Sequence, residues 1–463
     1  MTNSRQFTTR HDRLCQDYVG ESISDIPKPA AILDAAIVRK HCSSMLKAVR
    51  HLGVDFRAHV KTHKTVEIAK LQIGENPKDA RLVVSTVAEL EHLFPLLKEL
   101  QINGCQVNIL YGIPLPQSQI PRIAALGRQL GPGSLAFMID HPSQLGALCR
   151  FHVLAGFPGG VFLKVDTGYH RAGLPPSALN KNGLVEQVST LEANSQAYLI
   201  GLYSHSSLSY QGLTPQQAMN SLAGEIHGCV DALHKSYEHL MHKKEIVLSV
   251  GASPQVTSIE NFTESAELAH GSATELLQTI KEVSLGEMYG IRTKLELHAG
   301  VYAVLDLQQM ATNSRISLGN FENEIALSVI AEVVSVYNDG ERHQPEALVA
   351  AGTLGLGREP CQSYRGWGVV SQQDSPSNVE LGRRLIVERI SQEHAILAWE
   401  TTFGDDESTC LPAIPLEVGQ SVRIYPNHAC VTGAMYNSYF VIDSSRESGS
   451  TQIMDVWQRA FGW

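Results

Sequence analysis

From about residue 27 to about residue 310, short runs of apolar and β-branched residues alternate with longer stretches in which apolar side chains recur at helical spacing. The runs that read as strands are Phe56–Val60, Arg81–Ser85, Val107–Tyr111, Ala136–Ile139, Val161–Val165, Tyr198–Tyr203, Ile246–Val250 and Lys294–Leu297, with room for a helix between each pair. Such alternation calls for a parallel sheet with helical crossovers. Eight βα units over that length fit a closed (β/α)8 TIM-type barrel better than an open doubly wound sheet. The linker after the seventh strand, Gln255–Glu282, is longer than its counterparts and polar at its start, which predicts an insertion.

Beyond about residue 311 the helical period fades. Glu324–Tyr337, Leu385–Ile390, Ala395–Trp399 and Ser421–Ile424 read as strands, with turns at Asn338-Asp339-Gly340, Gly404-Asp405-Asp406 and Glu417-Val418-Gly419. Ser371–Asn378 and Ser444–Thr451 read as surface loops. The expected organisation is an N-terminal segment (1–26), an α/β barrel (27–310) and a C-terminal β domain (311–463).

Composition narrows the class of function. The chain has 463 residues, 43% hydrophobic and 18% charged, as expected for a soluble globular protein of a few domains. A formal net charge of -10 argues against nucleic acid or an anionic membrane as partner and leaves a small-molecule enzyme as the default. The eight cysteines include no C-x-x-C pair, so reduced thiols are expected rather than a disulfide framework. Met1–Gly20 lacks the apolar core of a secretory signal, and no apolar run is long enough for a membrane anchor; the expectation is a cytoplasmic protein.

A barrel of this kind places its chemistry at the C-terminal ends of its strands. There stand Lys61 and His63 after the first strand, with His59 near its end, Asp166–Arg171 after the fifth, and Tyr203-Ser204-His205 after the sixth. Gly251-Ala252-Ser253-Pro254 follows the seventh and His298-Ala299-Gly300-Val301-Tyr302 the eighth. Lys61 lies in a run of basic residues, Arg57–Lys64. Neighbouring cations or burial lower an amine's pKa and ready it for Schiff-base chemistry, while a solvated basic face has the same appearance in sequence. The last two loops occupy the place where barrels commonly bind phosphate through backbone N–H groups, although turn-forming glycine accounts for the same residues. A reactive lysine and a phosphate loop pair on one barrel suggest pyridoxal 5'-phosphate.

These segments, together with Pro426-Asn427-His428-Ala429-Cys430, resemble the D-serine dehydratase and D-threonine aldolase group of pyridoxal-phosphate enzymes, which are built on the alanine-racemase type of barrel (fold type III). The resemblance runs from about Pro27 to the end of the chain and implies a homodimer acting on a small D-amino acid. It gives Lys61 the role of Schiff-base lysine, sets Arg171 at the cofactor's phenolic oxygen and Tyr203 at the pyridine nitrogen, and assigns Gly251, Ser253, Gly300 and Tyr302 to the phosphate. A phenol cannot hold a full charge on that nitrogen, so prompt expulsion of a β-substituent suits such a site. A packed barrel aromatic is the other reading of Tyr203. Two stretches depart from the group: the loop 298–302 matches it loosely, and Ser206-Ser207-Leu208 lacks an expected glycine and second histidine, which points to a different substrate pocket.

His428 and Cys430 stand two apart in a segment that reads as extended, so both side chains can project to one side and meet one ion; a buried histidine and a buried cysteine also account for them. In this family the same spacing binds a divalent metal beside the cofactor. A thiolate favours zinc over magnesium or manganese. The aldolase branch more usually has an aspartate at the position of Cys430, so the cysteine favours the dehydratase branch. The expected activity is that of a pyridoxal-phosphate- and Zn2+-dependent (or other divalent-cation-dependent) lyase acting on D-β-hydroxy-α-amino acids by β-elimination. His59, His63 and His205 are candidates for the base at the hydroxyl. Retro-aldol cleavage is the alternative; a racemase has no use for the metal, and a non-catalytic cofactor carrier leaves the β domain unexplained.

Overall fold

The computed structural model describes residues 10–264, 271–288, 290–371, 383–401, 411–446 and 451–463. The chain forms two compact units, one comprising residues 42–302, 312–318 and 460–463, the other residues up to 41, 303–311 and 319–459.

The first strand, β1 (Ala30–Asp34), is buried along its whole length and belongs to the second unit. The barrel follows as β2 (Asp55–His59), β3 (Asp79–Val84), β4 (Gln106–Pro114), β5 (Leu135–Ile139), β6 (Gly159–Val165), β7 (Ala197–Ser204), β8 (Glu245–Val250), the short β9 (Glu287–Met288) and β10 (Ile291–Ala299). β2 to β8 and β10 pair in parallel in chain order, and β2 pairs with β10 to close the ring; β9 is an antiparallel flap on β10. All eight strands expected from the apolar runs are present. Threonines just beyond strand ends start several of the intervening helices. Thr65, Thr86 and Thr214 each accept a backbone N–H of the first turn, satisfying a donor that the helix itself leaves open. Part of the interior is filled by Val83, Leu110, Ala136, Met138, Phe162 and Tyr203. The expected insertion after β8 is helical, with Ser253–Thr257 and later Ser272–Leu285; residues 265–270 within it lie outside the described residues.

The second unit contains β11 (Leu327–Tyr337), β12 (Glu346–Val349), β13 (Gly368–Val370), β14 (Leu385–Ile390), β15 (Ala395–Trp399), β16 (Ser421–Pro426), β17 (Ser438–Ile442) and β18 (Asp455–Gln458). Strands β12, β15, β14, β13, β16 and β11 close on themselves around Val329, Val333, Leu385, Leu397, Trp399 and Ile424. β1, β17 and β18 extend this sheet beyond β11. β1 runs antiparallel to β11 (Ala30↔Ile330) and parallel to β17 (Ile32↔Phe440). Residues 27–41, read from sequence as the start of the barrel, therefore group with the β unit, because Ala30-Ala31-Ile32-Leu33 finds its partners there. The expected strand Glu324–Tyr337 begins with a helical turn, Phe321–Glu324, capped by Asn320, and becomes a strand only at Leu327. The turn 404–406 and most of the loop 371–378 lie outside the described residues, as does half of 444–451.

Helix α1 (Arg10–Tyr18) lays Leu14, Cys15 and Tyr18 on a core of Ile23, Ile26, Ile32, Ile442 and Val456, with Tyr18 edge-on to Phe440 at 5.3 Å between ring centroids. The described cysteines are all free thiols, and no described helix is long and apolar enough to cross a membrane.

Candidate active site and candidate metal pair

The barrel mouth is organised by short turns just past the strands. After β2 the chain closes on itself through Lys64 N–H to Val60 O at 2.8 Å, which sets half-buried Lys61 at the turn. His59 Nδ1 accepts the Lys61 backbone N–H at 3.3 Å, so the ring proton sits on Nε2, 3.5 Å from Ser85 Oγ. Buried His63 has both ring nitrogens engaged, one by the Thr65 N–H at 3.1 Å and the other by Gln72 Oε1 at 3.1 Å. It holds the start of the helix Val66–Ile73, and neither nitrogen is left for a substrate hydroxyl.

After β6, Asp166 builds the next turn by accepting the Gly168 and His170 N–H groups at 3.0 Å each and the His170 ring at 2.9 Å. Burial would raise its pKa, but these bonds outweigh burial and hold it below the usual range. Arg171 emerges exposed from this turn, its guanidinium 5.3 Å from the centre of the Tyr169 ring. The turn is tied to β7 by Thr167 Oγ1 and Ser204 Oγ at 2.9 Å; Ser204 in turn donates to buried Glu225 at 2.7 Å.

Tyr203, on β7, points into the barrel. Its ring is stacked on His298 at 4.1 Å with an interplanar angle of 7°, and the Lys164 ammonium lies over it at 4.9 Å. Lys164 was not singled out from sequence, and His298 was placed at a strand end without a role. The available signal was a lysine inside the apolar run Phe162-Leu163-Lys164-Val165, at a position whose alternation points inward. The His298 tautomer follows from its support. Ser249 donates to the Glu296 carboxylate at 2.8 Å, so its oxygen accepts from His298 Nδ1 at 3.1 Å, and His298 Nε2 carries its lone pair into the mouth, buried and without a hydrogen bond.

Next to the β2 turn, the loops after β8 and β10 form a cup, with Gly300 lying against His59. Buried Ser253 Oγ receives the Gly300 N–H at 3.4 Å and the Tyr302 N–H at 3.3 Å. Gly251 has φ +146°, and a Cβ there would stand 2.3 Å from His298 O. His205 Nδ1 donates to Gly251 O at 2.6 Å and so braces the cup from the side. The Tyr302 side chain points away into the core, edge-on to Phe56 at 5.7 Å; only its backbone serves the cup.

Charge is unbalanced here. Burial first, and then nearby positive charge, pushes three imidazoles well below the usual value and keeps them neutral: Lys61 acts on His59, Lys61, Lys164 and Arg171 act on His205, and His205 and Lys164 act on His298. Burial likewise lowers Lys164 to about 8, against the opposing charge of Glu225, and its Nζ has no hydrogen bond. A mouth with three cations, an orphaned ammonium and a cup of converging donors fits a dianionic phosphate and a substrate carboxylate. The residues present therefore suit pyridoxal phosphate.

The second unit holds the other candidate pair. His428 is the N-cap of the helix Ala429–Ala434, and Cys430 lies in its first turn. The expectation of an extended segment is thus corrected, since a helical turn rather than strand alternation brings the two side chains together. Burial lowers the His428 pKa, but a hydrogen bond with Cys430 and the charges of Cys430, Asp306 and Glu359 lift it to about 9. Buried Asp306, which sequence reading passed over, accepts the Ala429 N–H at 2.8 Å and the Gln309 N–H at 2.9 Å and so pins the backbone between the two candidate ligands. The buried His428 Nδ1 has no hydrogen bond. A nitrogen and a sulfur donor side by side with a carboxylate behind them fit a borderline divalent ion such as zinc.

Comparison with known proteins agrees with this geometry. Residues 33–273 match the family model of the alanine racemase N-terminal domain, and residues 326–442 match that of a serine dehydratase domain. The chain is 33% identical to the D-serine dehydratase of Schizosaccharomyces pombe, over 98% of this chain and 96% of that one. An alanine-racemase-like protein from Idiomarina loihiensis has the same fold (TM-score 0.69, 26% identity, 96% and 100% of the two chains). So does the D-threo-3-hydroxyaspartate dehydratase of Delftia sp. HT23 (TM-score 0.70, 24% identity, 96% and 100% covered), of which a cysteine-to-alanine variant has been solved in a metal-free form. With a cofactor mouth, a His/Cys pair and end-to-end similarity to a D-serine dehydratase, the chain belongs to the D-serine dehydratase family of pyridoxal-phosphate lyases.

Proposed function

We propose that this protein eliminates the β-hydroxyl of D-serine, or of a close D-β-hydroxy amino acid, to give a 2-oxo acid and ammonia. The observation that carries the reading is the group of uncompensated cations Lys61, Lys164 and Arg171 around neutral imidazoles, beside the donor cup at Ser253. Lys61, Arg171, Tyr203, Gly251, Ser253, Gly300 and the Tyr302 backbone are the residues to hold the cofactor, and His428 with Cys430 the residues to hold a zinc-class ion. When bound, the cofactor supplies a sink for the electron pair left at Cα and the metal supplies Lewis-acid polarisation of the β-hydroxyl.

The chain's own side chains divide the remaining work. The Lys61 amine takes the Cα proton, its backbone held in place by His59. Tyr203 stays un-ionised, because burial first and then the charge of Glu225 raise its pKa, so it meets the pyridine nitrogen as a neutral partner and stabilises little charge there. Such weak support at that nitrogen would favour prompt departure of the β-hydroxyl, which would leave as water, over a long-lived charge at Cα. His205, neutral and buttressed on Gly251 O, has only Ser207 Oγ at 3.4 Å on its other nitrogen and is the better-placed imidazole for the hydroxyl side, since His63 is held at 3.1 Å by both Thr65 and Gln72. The released aminoacrylate takes up water to give the 2-oxo acid and ammonia. The reading extends to a cytoplasmic homodimer, supported by the free described thiols and by the family resemblance.

Product analysis tests this. The protein loaded with pyridoxal phosphate and zinc should form pyruvate and ammonia from D-serine, and Cys430→Ala should lower kcat far more than it alters the visible absorption of the bound cofactor. Glycine and acetaldehyde from D-threonine, without pyruvate from D-serine, would replace elimination by retro-aldol cleavage.

A further inference from the structure

Away from both candidate sites, helix α1 carries His11 and Cys15 four residues apart, hence on one face, and that face lies against the first residue of β18, Asp455. Cys15 Sγ is 3.6 Å from His11 Nε2 and 4.0 Å from Asp455 Oδ1, and the donor atoms of the three residues all lie within 4.8 Å of one another. Zinc bonds of roughly 2.3 Å to sulfur and 2.0–2.1 Å to nitrogen or oxygen, at tetrahedral angles, put neighbouring donors about 3.3–3.6 Å apart. Small side-chain rotations bring this triad to that spacing. We propose that His11, Cys15 and Asp455 form a second, structural metal site for a zinc-class divalent ion, which clips helix α1 to strand β18.

Two features support it. Asp455 is already oriented, Oδ1 accepting the Val456 N–H at 2.8 Å and Oδ2 the Trp457 Nε1–H at 2.9 Å, as outer groups orient a ligand carboxylate. The Val456 carbonyl lies 2.8 Å from His11 Nε2 and offers an oxygen beside the triad, with solvent on the open side for a water ligand. Binding converts the thiol to thiolate and releases one proton; the Nε2 proton, now shared with Val456 O, moves to Nδ1. Zn2+, one thiolate and one carboxylate sum to zero charge, which suits a half-buried site. The donor set of nitrogen, sulfur and oxygen selects zinc over magnesium or calcium.

The test is metal stoichiometry on the full-length protein, stripped with chelator and titrated with zinc. The double variant His428→Ala/Cys430→Ala should still hold one zinc per chain, and adding Cys15→Ser should remove it. In the wild-type background, Cys15→Ser and, separately, Asp455→Asn should each lower the count by one, with D-serine turnover unchanged. Cobalt in place of zinc should give the near-ultraviolet thiolate charge-transfer band in the double variant, and Cys15→Ser should abolish that band. Limited proteolysis adds an independent readout: zinc should protect the α1 region in the double variant. A double variant that holds no zinc, or holds zinc indifferent to Cys15→Ser, overturns the proposal whatever the enzyme's activity proves to be.

Discussion

At the floor of the barrel, where the strands begin, Arg57 grips Glu296 through two bonds of 2.7 and 3.1 Å, and Arg81 pairs with Asp55, with Asp79 at 2.8 Å and with Glu296 at 3.3 Å. At the mouth, where the same strands end, Lys61, Lys164 and Arg171 surround neutral imidazoles, and the nearby acids are already engaged. Asp166 is held by Gly168 and His170, and Glu225 by Ser204 and Gln255. Both ends hold buried charge, and the floor neutralises its own from within, whereas at the mouth Lys64 is paired with buried Glu89 at 2.9 Å but Lys61, Lys164 and Arg171 form no such ion pair among the described residues. A charged group balanced inside the fold reports on stability; one left unbalanced reports on what the fold is built to receive.

Substitutions at the two ends should therefore differ in kind. The largest effect is expected for Lys61→Ala, with turnover lost by more than about 10³-fold together with the visible band of the bound cofactor; a variant that keeps the band removes the mouth's assignment. Next comes Glu296→Gln, which strands Arg57 and should cost about 3–5 kcal/mol in denaturant unfolding. The pH dependence carries the sign. Burial would raise the Glu296 pKa, but Arg57, Arg81 and Ser249 outweigh it and hold it below its unfolded value. Its contribution is thus complete above the unfolded carboxylate pKa and is lost as pH falls through the folded one, and this part of the acid limb should vanish in Glu296→Gln.

A mouth cation should behave oppositely. Lys164→Met is expected to stabilise the cofactor-free protein at pH 7 by about 2 kcal/mol while weakening cofactor binding. Because the Lys164 pKa is about 8 when folded, wild-type stability should rise from about pH 8 towards the ordinary lysine value, and the variant should lack that rise. If Lys164→Met destabilises the apo protein, the contrast between floor and mouth fails. The smallest effect belongs to Ser253→Ala, which removes one hydroxyl from the cup and should weaken cofactor binding about tenfold, near 1.4 kcal/mol, with the barrel otherwise unaffected.

The same contrast explains what could be read from sequence. The barrel strands were legible because each is a local apolar run bounded by turn residues, and Lys61, Tyr203 and Ser253 were legible as polar residues at their ends. β1 was not, because Ala30-Ala31-Ile32-Leu33 has no meaning as a sheet member until Ile330 and Phe440 are beside it. Lys164 was hidden in an apolar strand pattern, where only an inward-facing alternation marks it; His298 stood in view at the end of the eighth strand but had no role until Tyr203 was stacked on it. Arg57 and Glu296 are far apart along the chain, so nothing local distinguished a paired arginine from a reactive lysine four residues later. The helical seat of Cys430 was missed because a six-residue helix is too short to show a period.

The place of β1 also imposes an order of events during synthesis. Asp34 leaves the ribosome about 300 residues before Leu327, its first sheet partner's opening residue, a delay of roughly 15–60 s at about 5–20 residues per second. Throughout that interval an apolar strand waits unpaired while the barrel is made behind it, so the nascent chain carries an open edge that only the strands from Leu327 onward can cover.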